Sequence, residues 1–430
     1  MGINLIKPVG RTFREYGHKV RLFKPNARLY LINVIVTGAA MGVFRLLFNF
    51  YVLSLGYDEA LLGNLVTTSS MTALIVALPM GYLADLLGRK ISLILSGALI
   101  SLSVAGMVIW PGATTFFITN IIFGMAQSLS AVTMSPFLME NSGEQERTYL
   151  FSFGSGLQMA SGSVGNWIGG YLPMWVAQAR MVEAVSSTAY GGSLMIIAIA
   201  SAVGLLPLAF LSTPRGTHSE RTVFAPISYA MKNPSTLSKL VLPMLLTSIG
   251  AGLIMPFMNV FFRQVYHQPD PVIGSLFAWG SLAMGLGLLI APPLADRMGK
   301  IQLVVITQGL SIPFLILLGF SPWFWLSTAA YYVRVALMNM SGPVYQTYVM
   351  EHVEPSSRAT VASLVSMSWN FGWAFSPTIS GWLQVRYGFG PSFIGTIALY
   401  TVSVFLYWVF FWRGKLEREP EAEPSLMPGD

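Results

Sequence analysis

Long apolar runs alternate with short polar segments along almost the whole chain. Twelve runs are long enough to cross a hydrocarbon core of about 30 Å as helices, which takes roughly 20 residues each. Because lipid offers no partner to backbone N–H and C=O groups, we predict that these apolar segments are α-helices. Apolar segments 1 to 12 span residues 29–53, 59–83, 91–110, 115–138, 149–175, 190–212, 238–262, 272–294, 301–319, 323–349, 360–385 and 391–412.

The composition supports this assignment. Hydrophobic residues make up 54% of the chain and charged residues only 10%, whereas soluble domains have about 25% charged residues. The chain has no cysteine, which excludes disulfides and cysteine-ligated metals. No metalloprotease, nucleophile-elbow or phosphate-loop motif occurs, so we expect neither an enzyme nor a cofactor. The sequence therefore predicts an all-α polytopic membrane protein with 12 transmembrane helices in the lipid bilayer.

The positive charges are distributed unequally between the two sides of the predicted membrane. The formal net charge is +7, and 20 of the 25 Lys and Arg residues share a side with the N-terminus. Only Arg180, Arg263 and Arg386 fall on the other side. This asymmetry predicts that both termini are cytoplasmic, at a plasma membrane, and it explains the charge without a nucleic-acid partner. We call the N-terminal side the predicted inner side.

One charged turn occurs twice. Residues 81–90 read GYLADLLGRK between segments 2 and 3, and residues 292–300 read PPLADRMGK between segments 8 and 9. Corresponding residues lie 211 positions apart: Asp85 and Asp296, Gly88 and Gly299, Arg89 and Lys300, Glu140 and Glu351, Arg147 and Arg358. The recurrence predicts two six-helix bundles at 29–212 and 238–412, a cytoplasmic linker at 213–237, a basic arm at 1–28 and a tail at 413–430.

The first turn resembles the signature loop of the major facilitator superfamily, which follows the second helix of that fold. The second turn resembles its weaker repeat, with Pro292 and Lys300 at altered positions, and Leu86 replaces a usual basic residue in the first. The resemblance implies two pseudo-symmetric six-helix bundles around a central cavity lined by helices 1, 4, 7 and 10. It also implies transport by alternating access.

The paired charges predict a gate at the inner side. Asp85, Arg89, Glu140 and Arg147 form one predicted ion-pair cluster, and Asp296, Lys300, Glu351 and Arg358 form its repeat. Such clusters would latch the inner side closed when the pathway faces outward. The alternative is that these charges only face lipid headgroups. Gly81 is predicted to let segment 2 approach a neighbouring helix closely.

Small residues form stripes on segments 5 and 11. The segment 5 stripe resembles the antiporter signature of the superfamily, with Asn166 in the place of its proline, and segment 11 retains the proline as Pro377. Small residues let helices pack backbone to backbone in lipid. We predict that segments 5 and 11 form the moving seam between the bundles; ordinary membrane packing is the alternative.

Two arginines lie inside apolar segments. Arg45 in segment 1 and Arg334 in segment 10 fall near the middle of the bilayer, where a charge requires water or a partner. We predict that both bind an anionic group of the substrate. The alternative is that Arg45 extends to the interface and that Arg334 bonds to backbone carbonyls. Asn49 follows Arg45 by four residues and is predicted to share its helix face, and Asn259 in segment 7 is its repeat counterpart at a spacing of 210. The predicted substrate-binding residues are these two asparagines, the two arginines, Tyr331 and Asn339.

These patterns predict a monomeric secondary transporter for a small organic solute, amphipathic or anionic, with a preference for export. Two alternatives on the same fold are a carrier for uptake or exchange of organic anions and a lipid flippase. A third is a transporter-like sensor, which usually carries a long cytoplasmic domain.

Overall fold

The computed structural model describes residues 22–143, 146–212, 234–352 and 358–413. Within these ranges all regular secondary structure is helical, with no strand. The predicted arm 1–28, linker 213–237 and tail 413–430 fall mostly outside them. Arg358 begins a helix, but its side chain is outside the described set.

Eight helices occur in the described part of the first half of the chain. They are α1 Pro25–Ser54, α2 Glu59–Ile75, α3 Ala77–Leu87, α4 Arg89–Ile109, α5 Ala113–Glu140, α6 Arg147–Arg180, α7 Ser187–Val203 and α8 Leu206–Ala209. Segments 1 to 6 each coincide with one of these helices or with two in series. Segment 2 comprises α2 and α3, which meet at a 59° bend. Pro79 lies four residues after Ile75 and cannot donate to its carbonyl, which explains the break at that point.

The second half repeats this order. Its helices are α9 Pro234–Ile254, a 3₁₀ turn Met255–Phe257, α10 Met258–Tyr266, α11 Asp270–Met298, α12 Lys300–Phe320, α13 Phe324–His352, α14 Arg358–Tyr387, α15 Gly390–Tyr407 and a π-helical end Trp408–Arg413. Segment 7 is interrupted at Pro256, which lacks the N–H that would continue the helix.

Most of these helices meet the requirements for a membrane span. In the described chain, eight helices are long and apolar enough, or nine if α2 and α3 count as one span. The other long helices, α6, α13 and α14, have 34, 29 and 30 residues. Each exceeds the length that a 30 Å core requires, but Ser, Gly and Asn make it less apolar. The predicted twelve spans are consistent with this set.

Both signature turns are built on a left-handed glycine. Gly88 has a φ of 78° between α3 and α4, and Gly299 has a φ of 94° between α11 and α12. Residues with a Cβ rarely adopt this region, whereas glycine does so readily. The repeated glycine therefore has the same local role in both halves of the chain.

The described residues form two compact units whose limits differ from the two halves of the chain. The first unit combines 1–220 with 252–285 and 373–392, and the second combines 221–251, 286–372 and 393–430. The first unit thus includes parts of α9, α11, α14 and α15, together with the 3₁₀ turn and all of α10. The bundle limits 29–212 and 238–412 stay a prediction.

Each unit has its own apolar core. In the first, Phe23, Leu93 and Leu150 belong to one buried cluster. In the second, Val304 and Val349 are fully buried beside Tyr407. At roughly 1.5–3 kcal/mol per buried large side chain, such clusters stabilise each unit internally.

Candidate substrate path and gate

Helix α1 packs tightly against the small-residue stripe of α6. A Cβ on Gly165 would collide with the carbonyl oxygen of Ala39, and a Cβ on Gly42 would lie 3.0 Å from the backbone nitrogen of Asn166. Such close approach requires glycine, as the segment 5 stripe indicated. Asn166 is therefore part of the α1–α6 contact through its backbone.

Asn49 and Asn259 join α1 to α10 in a buried amide contact. The Nδ2 group of Asn49 donates to Asn259 Oδ1 at 2.9 Å and to the Pro256 carbonyl at 2.7 Å. In return, Asn259 Nδ2 donates to the Leu46 carbonyl at 2.7 Å. Both asparagines are about 5% exposed or less. The break at Pro256 supplies the carbonyl for this contact, so the interrupted helix and the predicted asparagine pair form one structure.

Arg45 lies one helical turn from this contact, toward the predicted inner side. Its position four residues before Asn49 places both side chains on one face of α1, about 6 Å apart along the axis. Arg45 is exposed, whereas Asn49 and its neighbours Phe44 and Phe48 are buried. The guanidinium of Arg45 is therefore accessible one helical turn from the buried contact between Asn49 and Asn259.

A buried ionic cluster holds the predicted outer ends of the first unit together. Arg263 at the end of α10 forms an ion pair with Asp270 at the start of α11. Arg263 Nη2 also donates to the hydroxyl oxygen of Tyr190 at 2.6 Å, and this hydroxyl donates to Asp270 Oδ2 at 2.7 Å. The guanidinium carbon lies 3.6 Å from the ring centroid of Phe50. We call Tyr190, Arg263 and Asp270 the outer cluster; it links α7, α10 and α11, and Phe50 extends it to α1.

Two helix crossings accompany the outer cluster. In the first, α6 meets α11: a Cβ on Gly170 would lie 2.7 Å from the Asp270 carbonyl oxygen, and one on Gly274 would lie 2.6 Å from that of Asn166. Ser163 Oγ donates to the Ala278 carbonyl on the same pair of helices, at 2.9 Å.

In the second crossing, α2 meets α14. Cβ atoms on Gly63 and Gly381 would collide with the carbonyl oxygens of Pro377 and Glu59, respectively. The Thr378 amide donates to Thr67 Oγ1 at 3.2 Å. Pro377 therefore contributes its backbone carbonyl to this crossing, within the stripe that was predicted on segment 11.

The predicted inner clusters form in part. Arg89 Nη1 bonds Asp85 Oδ1 at 2.7 Å, and Arg89 Nε bonds Glu140 Oε1 at 3.0 Å. Arg147 instead donates to Ser142 Oγ at 3.4 Å, one turn away from that set. We call Asp85, Arg89 and Glu140 the inner cluster. Its side chains are 22–44% exposed.

The repeat of the inner cluster is smaller among the described residues. Lys300 forms an ion pair with Glu351. Asp296 is exposed and has no ion-pair partner among the side chains that the structure describes. Gly81 differs from its prediction: no described atom lies within 4 Å of a Cβ built on it. Gly81 lies on α3, after the bend that separates α3 from α2, and the expected close approach is absent in this structure.

The remaining predicted binding residues belong to α13 in the second unit. Arg334 is fully buried, and its Nη2 donates to the hydroxyl of Tyr400 at 3.2 Å. Tyr331, one turn earlier, is also buried. Asn339 is half-buried, and its Nδ2 donates to the Val335 carbonyl of its own helix at 2.8 Å. Arg334 therefore bonds a side chain, rather than the backbone carbonyls of the alternative interpretation.

Comparison with known families decides how these features are interpreted. The model of the family described as Major Facilitator Superfamily matches residues 30–247 and 240–426. The chain belongs to the major facilitator superfamily. It is therefore an integral membrane protein of a transporter family, as the turn at residues 81–90 indicated.

Relatives within the superfamily are distant. The chain is 23% identical over 407 residues to the multidrug resistance protein MdtG of Proteus mirabilis, covering 90% of this chain and 96% of that protein. It is also 23% identical over 370 residues to YceJ of Bacillus subtilis, an uncharacterised MFS-type transporter, covering 84% and 90%.

Solved structures of the superfamily have the same fold. The nucleoside transporter NupG aligns with a TM-score of 0.73 at 15% identity, covering 90% of this chain and 99% of that one. A bacterial homologue of the human lysosomal transporter Spinster, in an inward-facing and unoccupied conformation, aligns with a TM-score of 0.72 at 13% identity, covering 90% and 95%. At these identities the likeness concerns the fold alone.

Sequence reasoning missed the outer cluster of this superfamily member. Arg263 and Asp270 were assigned to an outer loop, and Tyr190 was only the first residue of segment 6. One signal was available, because opposite charges flank a short connection between two apolar segments. Their burial was not foreseeable, since it depends on the extension of α10 to Tyr266 and on the position of α7.

Proposed function

We propose that this chain exports small amphipathic organic solutes that carry an anionic group, by alternating access across a plasma membrane with both termini in the cytoplasm. The proposal rests on Arg45. Its side chain is exposed, lies inside apolar segment 1 and is one helical turn from the buried contact between Asn49 and Asn259. A guanidinium has a permanent charge and a fork of donors that matches a carboxylate or phosphate.

The environment of Arg45 supports a role in binding rather than extension to the interface. Asn49, on the same face of α1, bonds to α10 and not to lipid. A side chain on this face therefore points along the α10 side of α1. The adjacent amides of Asn49 and Asn259 would orient polar parts of a solute, and the rings of Phe44 and Phe48, 5.1 Å apart, provide apolar surface nearby.

The closed outer contacts support alternating access. Three sets of contacts join helices of the first unit toward the predicted outer side. They are the asparagine pair, the outer cluster and the glycine crossings of α6 with α11 and of α2 with α14. Opening toward the outside would require all three to separate, while Arg45 would stay in place on α1. The preference for export draws on the likeness to MdtG, a protein named for multidrug resistance.

A transport assay with matched substrates tests this proposal. Purified protein in proteoliposomes would be given a carboxylated fluorescent dye and its neutral methyl ester. For Arg45→Gln we expect flux of the acid to fall by about 10- to 150-fold, since a hydrogen bond to a charged group contributes about 1.5–3 kcal/mol. Flux of the ester should change less than about twofold, because it has no charge for Arg45 to bind.

Arg180→Gln is the matched control, because Arg180 is an exposed arginine at the end of α6, away from this face. Equal losses for acid and ester with Arg45→Gln would contradict a role in anion binding. An imposed pH gradient and a counter-anion gradient distinguish the alternatives: flux that follows only the counter-anion would indicate an exchanger for organic anions instead of an exporter.

A further inference from the structure

Arg334 has donors that the described chain leaves unused. The residue has no solvent-exposed surface, and only Nη2 finds a hydrogen-bond acceptor, the Tyr400 hydroxyl. Its Nε and Nη1 groups are buried without a partner. A guanidinium normally satisfies its donors when it is removed from water, because unpaired buried charges are strongly unfavourable.

No carboxylate compensates this charge. No Asp or Glu of the described residues lies within ion-pair distance of Arg334. The acidic residues of the second half lie at helix ends, connections and the tail, far in sequence from the middle of α13. Among the described residues, the interior of the second unit therefore holds a cation without a protein anion beside it.

The first half shows that this position does not need a charge. Phe123 corresponds to Arg334 at the 211-residue spacing of the repeat. It is 4% exposed and packs against Phe44, with ring centroids 5.0 Å apart. An apolar side chain thus fills the equivalent core position, so the arginine has a role other than filling space.

The Tyr400 hydroxyl adds a donor next to the unused ones. Its oxygen accepts from Arg334, which leaves its own hydrogen to donate. The ring is held in place, because a Cβ on Gly250 would lie only 2.7 Å from it and Thr396 Oγ1 donates to the Gly250 carbonyl at 2.9 Å. The N–H groups of Arg334 and the O–H group of Tyr400 therefore come from two helices, α13 and α15.

We propose that Arg334 and Tyr400 bind a small monovalent inorganic anion, of the size of chloride, inside the second unit. No water-sized space adjoins the buried guanidinium in this conformation, so an ion enters only with a small shift of the neighbouring side chains, and this favours a small ion over the anionic group of a larger solute. A single negative charge balances the single positive one, and N–H and O–H donors replace the water of the ion. This site is separate from Arg45 and does not rest on the proposed transport function.

Chloride dependence of stability tests the proposal on the full-length protein in detergent. The thermal midpoint would be measured at constant ionic strength while gluconate is replaced by chloride or bromide. A ligand that binds only the folded state stabilises it by mass action, so chloride at about ten times its Kd should raise the midpoint of a chain of this length by roughly 1–2 °C. Binding of radioactive chloride to the purified protein provides a direct second measurement.

Variants assign the effect to the site. Arg334→Gln should abolish the chloride-dependent shift, and Tyr400→Phe should weaken chloride binding severalfold while leaving the ring in place. Arg180→Gln, a charge removal at an exposed arginine outside either proposed site, should retain the full shift. If Arg334→Gln does not fold, the binding of radioactive chloride to Tyr400→Phe and to the wild type tests whether the ion binds at this site.

Two results would overturn the proposal. One is a wild-type protein with equal midpoints in chloride and gluconate and no saturable chloride binding. The other is an unchanged chloride response in both Arg334→Gln and Tyr400→Phe. Loss of binding of an anionic dye in Arg334→Gln, without any chloride effect in the wild type, would assign these donors to the substrate instead. Failure of the Arg45 transport assay would leave the chloride result unaffected.

Discussion

The first unit contains two ionic clusters of similar size whose carboxylates differ in exposure. In the inner cluster, Arg89 bridges Asp85 and Glu140 with side chains that are 22–44% exposed. In the outer cluster, the side chains of Arg263 and Asp270 are 23% and 8% exposed. The two arginines are equally exposed, at 22% and 23%, so the carboxylates make the difference. Water reaches Asp85 and Glu140 and competes for their hydrogen bonds, whereas Asp270 is buried. The number of ion pairs is therefore a poor guide to how strongly a cluster is held together, because the exposure of its carboxylates also matters.

The outer cluster is also the better satisfied of the two. Both oxygens of Asp270 have partners, and Arg263 stacks on Phe50 in addition to its bonds with Asp270 and Tyr190. Charge-assisted hydrogen bonds and cation–π contacts gain strength when water is excluded. We therefore expect that removal of one charge has a large effect in the outer cluster and a small one in the inner cluster.

Asp270→Asn should have the largest effect. It leaves Arg263 partly buried without a counter-charge, and breaking a buried pair destabilises by about 3–5 kcal/mol. The chain has no cysteine, so Ser163→Cys, buried between α6 and α11, can serve as the only thiol. Its labelling rate with a small thiol reagent should rise more than about tenfold in the Asp270→Asn background, since each 1.4 kcal/mol is a factor of ten.

The control for this measurement is Glu183→Gln, a charge removal at an exposed residue near the outer end of α6. It should leave the labelling rate of Ser163→Cys unchanged. If Asp270→Asn does not accelerate labelling either, the outer cluster does not hold the contact closed.

Gly170→Ala should have an intermediate effect on the same contact. The added methyl group would lie 2.7 Å from the Asp270 carbonyl oxygen and 3.0 Å from the Pro271 Cα atom, and overpacking of this kind costs about 1–3 kcal/mol. We expect a lower thermal midpoint and faster labelling of Ser163→Cys.

Gly156→Ala is the matched control on α6, because nothing lies within 4 Å of its added Cβ. Alanine is the better helix former by about 0.5–1 kcal/mol, so this variant should keep or raise the midpoint. A midpoint that falls equally in both variants would show that backbone effects, not the α6–α11 crossing, are responsible.

Asp85→Asn should have the smallest effect on stability. It is the same chemical change as Asp270→Asn, but an exposed pair contributes about 0–1 kcal/mol. The thermal midpoint should stay within about 2 °C of the wild type. If Asp85 belongs to an inner latch, the rate of transport in proteoliposomes should nevertheless fall.

The two charge removals test the comparison directly. A loss of stability in Asp85→Asn as large as that in Asp270→Asn would contradict the assignment of the stronger contact to the buried cluster. Glu140→Gln, which removes the other carboxylate that bonds Arg89, should resemble Asp85→Asn.

Much of the helical framework was predictable because lipid imposes simple rules. Apolar length located the helices, and the charged turns at Gly88 and Gly299 located two connections that the structure builds alike. The exceptions are informative. The bend before Pro79 and the break at Pro256 follow from a missing N–H, but their angles depend on the neighbouring helices.

The candidate site was predictable in part. Periodicity correctly placed Arg45 and Asn49 on one face of α1, and the repeat suggested Asn259 as a counterpart of Asn49; the structure brings these asparagines together. The sequence gives the position of Arg334 along α13 but not the direction in which its side chain points. In the structure it faces Tyr400, a residue that no local pattern connects with it.

The amino-acid sequence alone specifies which residues leave water for lipid, where the duplicated turns lie and that no acidic residue lies deep in a span with Arg45 or Arg334. These properties follow from local composition and spacing, because the bilayer acts on each segment separately. Which charges become buried, and which partners they meet, follows only from the crossings of distant helices. The interactions within the outer cluster are strengthened there, because exclusion of water is a property of the assembled helices and of no single segment.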